Sequence, residues 1–286
     1  MVTVATASAL DEVLNEARQA RRTVGFVPTM GALHGGHVSL IKRARAHNHV
    51  VVVSIFVNPR QFSEEADLID YPRDLQRDET LAKDHGADIV FAPSVAEMYP
   101  ANFCTSVVVQ RLSDPLEGRI RGVRHFEGVA TVVVKLLNMV RPTVAYFGQK
   151  DAQQLLIVRQ AARDLSIPVR IEACPTVREP DGLAMSSRNV LLDPQGRGRA
   201  VALSRGLAAA QRLAEAGERS GRELVGATSR CFASFDVVPE YCELVSADTL
   251  VPVDVVDNSA LLLVAARFGS VRLIDNATIH VPDRGQ

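Results

Sequence analysis

The chain has 286 residues, which is enough for one large domain and a smaller one beside it. Hydrophobic residues make up 47% of it and charged residues 23%, the balance of a globular protein that can bury a sizeable core. The formal net charge is -1, from 32 Lys and Arg against 33 Asp and Glu, so charge gives no support for a nucleic-acid or anionic-membrane partner.

The cysteines and the N-terminal segment indicate a cytoplasmic protein. None of the four cysteines forms a Cys-x-x-Cys pair or stands beside a histidine at zinc-ligand spacing. We therefore expect buried free thiols in a reducing compartment. The first residues lack a basic segment followed by an apolar stretch, and no apolar run reaches the length of a membrane span.

Residues 1–176 alternate between predicted helices and predicted strands. The segment 50–57 is almost continuously apolar, which is typical of a strand covered on both faces. The alternation favours an α/β fold, with a Rossmann-like parallel sheet and helices on both of its faces. In chain order, the predicted elements are a helix at 8–20, a strand at 23–28, a helix starting near Gly36, a strand at 50–57, a helix at 74–85, a strand at 88–92, a helix at 129–140, a strand at 144–147, a helix at 151–165 and a strand at 169–173.

The pattern changes after residue 176. A loop-like segment at 181–189 precedes an Ala-, Arg- and Leu-rich helix predicted at 194–216. Three strands are then predicted at 241–245, 261–266 and 271–277. These elements predict a smaller C-terminal α+β domain, so the expected domain bounds are 1–176 and 177–286.

The most informative segment follows the first predicted strand and reads PTMGALHGGH, at residues 28–37. Ligands of an open parallel sheet bind at the carboxyl ends of its strands, and the start of a helix attracts anions. Gly35 and Gly36 allow a phosphate to approach the main chain closely. His34 and His37 are three residues apart, so both can face one space and stabilise charge on a triphosphate. The segment lacks the Lys-Ser/Thr of a P-loop and the Gly-x-Gly-x-x-Gly of a dinucleotide site.

Three further segments offer polar groups at strand ends and at the domain junction. Gln61 follows the strand at 50–57 and can read a carboxylate or a hydroxyl. Lys150 follows the strand at 144–147 as a mobile charge for phosphates, Asp151 can cap the next helix, and Gln154 lies one turn further on. The segment MSSRN at 185–189 offers two hydroxyls and a guanidinium to phosphate oxygens. Taken alone, Gln61 is more typical of an ordinary loop, Asp151 of a helix cap and the 185–189 segment of a solvated linker.

In this order, the four segments resemble those of the pantoate–β-alanine ligase family of the nucleotidylyltransferase superfamily, which is marked by a His-x-Gly-His element and a Lys-Met-Ser-Lys-Ser-like loop. The resemblance extends from Val24 to Asn276. It implies an ATP-dependent enzyme that joins pantoate to β-alanine through a pantoyl adenylate. It also implies Mg²⁺, a homodimer, and a second domain that closes over the active site.

The resemblance assigns roles to individual residues. It implies catalytic roles for His34, His37, Lys150 and Arg188, and it places Asp78 near the metal. Substrate would contact Gln61, Gln154 and Arg121, with Gln61 also bordering the β-alanine site. The nucleotide would contact Met30, Gly31, His34, Gly36, His37, Gly148, Lys150, Asp151, Val177, Met185, Ser186, Ser187 and Arg188.

Three departures from the family pattern affect these assignments. Gln149 stands where the family usually has Glu, and Arg77 occupies a position that is often acidic. The usual Arg-Pro-x-His loop is replaced by RIRGVRH at residues 119–125, which is one residue longer and has no proline. Our hypothesis is that Arg121 takes the place of the family arginine and the extra residue bulges outward, with Arg124 as the rival.

Two other functions are compatible with the same motifs. An adenylyltransferase acting on a phosphorylated vitamin precursor would share the His-x-Gly-His loop but would need no acceptor amine. A nucleotide-binding regulatory protein would bind ATP without turnover. Incubation with ATP, pantoate and β-alanine distinguishes the three.

Overall fold

The computed structural model describes residues 1–62 and 68–282. The chain forms two compact units. The first contains residues 1–149 and 153–175, and the second contains residues 150–152 and 176–286. The chain therefore enters the second unit briefly at 150–152 before it leaves the first unit for good.

Six parallel strands form the sheet of the first unit. They are β1 (Val2–Val4), β2 (Val24–Thr29), β3 (Val50–Ile55), β4 (Ile89–Phe91), β5 (Val144–Gly148) and β6 (Arg170–Cys174). The helices are α1 (Ala7–Gln19), α2 (Gly35–His47), α3 (Leu75–Asp84), α4 (Val95–Met98), α5 (Glu117–Arg121), α6 (Val123–Val140) and α7 (Ala152–Asp164). Short 3₁₀ turns lie at Pro59–Gln61 and Gln149–Asp151.

Both faces of this sheet are covered, as the apolar strand sequences predict. Neighbouring residues of a strand point to opposite faces. In β2, Phe26 packs in the core that contains residues of α1 and α6, whereas Val27 packs in the core that contains Ile41 of α2. The α/β prediction is therefore confirmed.

The strand order creates a crevice at the ends of the central strands. From edge to edge the order is β1-β4-β3-β2-β5-β6. The chain builds outward from β2 through β3 to β4 and then crosses to β5 on the other side of β2. Ligands of open α/β sheets bind outside the carboxyl ends of the strands at such a switch point. The segments after β2 and β5 both start at this point.

Within the described residues, the second unit contains a three-stranded antiparallel sheet and three helices. Its strands are β7 (Pro239–Val245), β8 (Ser259–Phe268) and β9 (Val271–His280), in the order β7-β8-β9. Its helices are α8 (Pro194–Ala200), α9 (Ala202–Glu215) and α10 (Gly221–Ala233), and a 3₁₀ turn lies at Ser187–Leu191. A hydrophobic core joins the helices to the sheet, with Leu207, Phe232 and Leu262 almost fully buried. The predicted small α+β fold is confirmed.

Several elements differ from the sequence prediction. The helix expected at 194–216 is divided at Val201 into α8 and α9. Helix α10 was missed because Gly221, Gly226 and Thr228 are poor helix formers, and packing in the core stabilises it instead. The edge strand β1 was missed because three residues carry too little pattern.

The four cysteines are free thiols, as expected, but they are not all buried. Cys174 is buried, Cys231 and Cys242 are partly buried, and Cys104 is exposed. The expectation of burial is therefore wrong for Cys104.

Within the residues described, no helix combines the length and the apolar character needed to cross a membrane.

Candidate active site

The loop between β2 and α2 is shaped by its two histidines. His34 is the N-cap of α2, and its Nδ1 accepts the main-chain N–H of Gly36 at 3.1 Å. Nδ1 of His37 accepts the main-chain N–H of His34 at 3.4 Å. The two rings lie 4.1 Å apart between centroids. A ring nitrogen that accepts a hydrogen bond carries no proton, so these contacts select the neutral tautomer with its hydrogen on Nε2. A role as a hydrogen-bond donor through Nε2 fits this geometry.

Asp78, in the first turn of α3, binds the main chain of the same loop through its carboxylate. Its side chain is 1% exposed, and its Oδ2 and Oδ1 accept the main-chain N–H groups of Ala32 at 2.7 Å and Leu33 at 2.8 Å. Gly31 has φ +82°, and a Cβ there would lie 2.9 Å from Asp78 Oδ2. A glycine is therefore required where the loop crosses the carboxylate. Burial raises the pKa of Asp78, while the two main-chain hydrogen bonds and Arg77 oppose the rise.

These contacts bear on the metal role that the resemblance implies for Asp78. Mg²⁺ prefers carboxylates that are open to it beside phosphate oxygens and water. Both oxygens of Asp78 are buried and engaged by amides, so this side chain does not fit a direct metal ligand. Residues 1–62 and 68–282 also contain no group of three or more His, Cys, Asp or Glu placed to hold a metal. The metal role of Asp78 stays a prediction.

Gln61 is oriented by a buried amide that sequence reasoning missed. Asn58, 1% exposed, follows β3, and its Nδ2 donates to Gln61 Oε1 at 3.0 Å and to the carbonyl of Gly128 at 3.1 Å. Gln61 Oε1 is the acceptor in this pair, so the Nε2 end of the amide faces away from Asn58 and lies 2.8 Å from Met30 Sδ. The structure thus brings together Gln61 and Met30, two of the expected site residues. The signal for Asn58 was its position directly after the strand predicted at 50–57.

Two further contacts fix the Asn58 amide. Its Oδ1 accepts the hydroxyl of Tyr99 at 2.8 Å and the main-chain N–H of Arg60 at 3.3 Å. Burial raises the pKa of Tyr99 to about 12, so its hydroxyl keeps its proton and remains a donor. The main chain of Gln61 is also held, because its carbonyl lies 2.6 Å from Nδ1 of His125. The Gln61 amide is therefore pre-oriented.

The structure distinguishes the two adjacent glutamines at the start of α7. Gln153 is 3% exposed, and its amide bonds main-chain groups of Leu112 and Pro115 in the loop before α5 and of Glu117 at the start of α5. Gln153 therefore supports the fold. Gln154 is only half-buried, and its substrate role stays a prediction.

The arginines of the altered loop occupy different environments. Arg121 is half-buried, and its Nε donates to Glu117 Oε2 at 2.8 Å, whereas Arg119 and Arg124 are exposed. Gly122 links α5 to α6 with φ +81°, a left-handed conformation that favours glycine. The choice of Arg121 over Arg124 as the substrate arginine stays a prediction.

The second unit contains the remaining expected nucleotide residues apart from Gly148, which ends β5. Lys150 and Asp151 lie in the 3₁₀ turn after β5, and Lys150 is half-buried. The main-chain N–H of Met185 bonds the carbonyl of Val177 at 2.9 Å. Ser186 caps the 3₁₀ turn, with its Oγ accepting the N–H of Arg188 at 3.2 Å. Ser187 starts that turn.

A glycine-rich loop that leads from a strand end into a helix start, at the switch point of a parallel sheet, is the arrangement of a Rossmann-like nucleotide-binding protein. Comparison with known proteins gives the particular family. The model of the family described as pantoate-beta-alanine ligase matches residues 2–278, and the chain belongs to that family.

Individual relatives agree along nearly the whole chain. Pantothenate synthetase of Thermotoga neapolitana is 50% identical over 277 residues, which cover 96% of this chain and 99% of that protein. The crystal structure of pantothenate synthetase from Thermus thermophilus is 46% identical, with a TM-score of 0.93 over 98% of this chain and 100% of that one. Pantoate-beta-alanine ligase from Francisella tularensis, complexed with beta-gamma ATP and beta-alanine, is 34% identical, with a TM-score of 0.79 over 97% of each chain. The resemblance read from the motifs is confirmed.

Proposed function

We propose that this chain condenses pantoate with β-alanine at the expense of ATP, giving pantothenate, AMP and pyrophosphate. The observation that carries the proposal is membership of the ligase family along residues 2–278. The Francisella relative, bound to an ATP species and β-alanine, supports two of the three substrates.

In the first step, a carboxylate oxygen of pantoate attacks the α-phosphorus of ATP. An O–P bond forms, the bond to the bridging oxygen of the β-phosphate breaks, and pyrophosphate leaves with the electron pair. The obstacle is repulsion between the carboxylate and the phosphates, so catalysis consists mainly of positioning and charge stabilisation. No covalent bond to the enzyme is needed.

The β2–α2 loop supports this step by holding donors in place before ATP arrives. The two Nδ1 acceptor contacts leave Nε2 of His34 and His37 as the hydrogen-bearing nitrogens. Asp78 fixes the main chain that precedes them. Donors that need no reorganisation stabilise developing phosphate charge most effectively. Lys150 and Arg188 supply positive charge for the leaving pyrophosphate in this proposal.

The pre-oriented amide of Gln61 supports a role in pantoate binding. Its Nε2 is the donor end of the group, since Asn58 engages Oε1. A donor fixed in this way can bond a carboxylate or a hydroxyl oxygen without losing rotamer freedom on binding. Gln154 and Arg121 complete the proposed pantoate contacts.

In the second step, the amine of β-alanine attacks the acyl carbon of pantoyl adenylate. The C–N bond forms, the C–O bond to AMP breaks, and the amine proton passes to solvent. AMP leaves with the electron pair as a phosphate monoester.

The proposal has two further parts. Mg²⁺ accompanies the nucleotide phosphates, and the chain assembles as a homodimer. Light scattering of the purified chain tests the assembly.

Isotope exchange between pyrophosphate and ATP tests the two-step order. We expect exchange that requires pantoate and proceeds without β-alanine, because the first step is reversible by itself. Addition of β-alanine should then release AMP and pantothenate. Pyrophosphate–ATP exchange that appears only when β-alanine is present would contradict the adenylate route. In a separate assay, transfer of AMP to a phosphorylated vitamin precursor would support the alternative function as an adenylyltransferase.

A further inference from the structure

Two consecutive residues of β9 hold two separated segments of the second unit. Asn276 Nδ2 donates to the main-chain carbonyl of Lys150 at 2.8 Å. Asp275 forms a two-point ion pair with Arg178, at 2.7 Å to Nη1 and 3.1 Å to Nη2. Side chains of consecutive strand residues point to opposite faces, so a single dipeptide can reach segments on two sides.

Asp275 stands where the sheet pattern calls for an apolar residue. On its face of β9, Val271, Leu273 and Ile279 all belong to the hydrophobic core of the second unit. Asp275 is 2% exposed in this row. A buried carboxylate costs stability unless it is paired and hydrogen-bonded, and an ion pair at such a position adds little net stability. Its contribution is therefore to fix the position of Arg178.

Arg178 in turn closes a small hairpin. Its Nη1 also donates to the carbonyl of Gly182 at 3.1 Å, and its backbone bridges to Ala184. The main-chain bond from Met185 to Val177 ends the hairpin. The hairpin leads into the segment 185–188, which the proposed function assigns to nucleotide binding. The 3₁₀ turn at Ser187–Leu191 packs against β9. The hairpin thus sets where this segment starts.

We propose that Asp275 and Asn276 are positioning residues for adenylate formation. Asn276 fixes the main chain from which the Lys150 side chain extends. Asp275 acts through Arg178 on the hairpin that leads into 185–188. The inference rests on the proposed function, since it takes Lys150 and Arg188 as residues that meet the phosphates.

A double-mutant cycle tests the link from Asn276 to Lys150. Asn276→Ala should lower kcat of pantoate-dependent exchange by ~10–100-fold, the effect of misplacing a catalytic group by about 1 Å. In a Lys150→Ala background the same change should cost no more than ~2-fold, because effects through one group are not additive. The KM for pantoate should stay unchanged. An equal factor in both backgrounds would show that Asn276 supports only the fold.

Thr228→Val is the matched control for lost stability. Thr228 is fully buried in α10 of the same unit and donates to the carbonyl of Gly206, so the change also removes one buried donor to the main chain. We expect unchanged kcat per folded enzyme. If Thr228→Val lowers kcat as much as Asn276→Ala does, general loosening of the unit explains both and the proposal fails.

Hydrogen exchange tests Asp275 without any assay of activity. In Asp275→Asn or, if that variant does not fold, Arg178→Lys, amide exchange across 177–188 should accelerate by ~10-fold or more, since the two-point pair is lost. Thr228→Val should leave this segment unchanged. If the wild-type chain shows no pantoate-dependent exchange between pyrophosphate and ATP, the proposed function is overturned, but the amide-exchange measurement still tests whether Asp275 positions the 177–188 segment. Unchanged amide exchange across 177–188 in the Asp275 variant would overturn the positioning role of Asp275.

Discussion

Replacing Asp78 by Asn should separate the stability of the protein from its use of ATP. Asn has the same shape but offers one acceptor oxygen, so one of the main-chain N–H groups of Ala32 and Leu33 faces an NH₂ group instead. Two hydrogen bonds to a charged group give way to one neutral bond, a loss on the order of 2–5 kcal/mol in gross terms. A loop displaced by about 1 Å would lower kcat/KM for ATP by ~100-fold.

The free energy of unfolding should nevertheless change little at neutral pH, or rise. Burial raises the pKa of Asp78, so desolvation of its carboxylate outweighs the two hydrogen bonds. A carboxyl whose pKa is raised on folding contributes stability below its ordinary pKa and loses that contribution as the pH rises through the raised value. Asn mimics the protonated acid and avoids this loss. Denaturant unfolding and steady-state kinetics on the same samples measure the two effects.

Asp74→Asn is the matched control on the same helix. Asp74 caps α3 by accepting the N–H of Arg77 at 3.0 Å, and Asn caps as well as Asp does. Neither kcat/KM nor stability should change. Activity of the wild type should also fall as the pH drops through the raised pKa of Asp78, whereas Asp78→Asn should lack this acidic limb. Wild-type kcat/KM for ATP in Asp78→Asn would refute the loop-holding role, and a stability loss of several kcal/mol would refute the desolvation argument.

Three further predictions test the proposed site. His37→Ala and Lys150→Ala should each lower kcat by ~10²–10³-fold, the usual cost of removing one stabiliser of transition-state charge, and near-normal kcat in both would reject their assignment. Gln61→Ala should weaken pantoate binding by about 1–3 kcal/mol in calorimetric titration and leave ATP binding nearly unchanged, and equal losses would mean that Gln61 supports the fold. Arg121→Ala should slow adenylate formation while the exposed neighbour variant Arg119→Ala remains active, and the reverse order would show that the 119–125 loop is aligned incorrectly.

The fold was predictable because its signals are local and repeated. Apolar runs such as Val50–Ile55 and the turn signals after them identify parallel strands without knowledge of neighbours. The position of the proposed nucleotide loop follows from the same pattern, since ligands meet the carboxyl ends of the strands. Two features could not be predicted in this way: the order of the strands, and the grouping of residues 150–152 with the second unit. Both depend on contacts between distant segments, which the periodicity of apolar residues does not encode.

The supporting residues were harder to foresee than the residues they support. Asn58 and Gln153 resemble ordinary loop and helix polar residues in the sequence, yet both are almost completely buried and use their amides fully. Asp275 shows a weak signal, a charged residue in an otherwise apolar strand row, which should indicate a buried ion pair. A polar residue that interrupts a strong apolar pattern is therefore the best sequence sign of such a support.

The proposed reaction uses two kinds of group, neutral donors and cations, and their response to salt should distinguish them. His34 and His37 belong to the first unit, and we expect them to act as neutral donors because their Nδ1 atoms accept main-chain N–H groups. Lys150 and Arg188 belong to the second unit and are cations. Attraction between full charges is screened by salt, whereas a hydrogen bond from a neutral donor responds far less. The dissociation constant of ATP, measured by calorimetry at rising salt, should therefore increase less steeply in Lys150→Ala than in the wild type, while His37→Ala should keep the wild-type slope. A changed slope in His37→Ala would mean that its imidazole binds as a cation and that the capping contacts break when ATP enters.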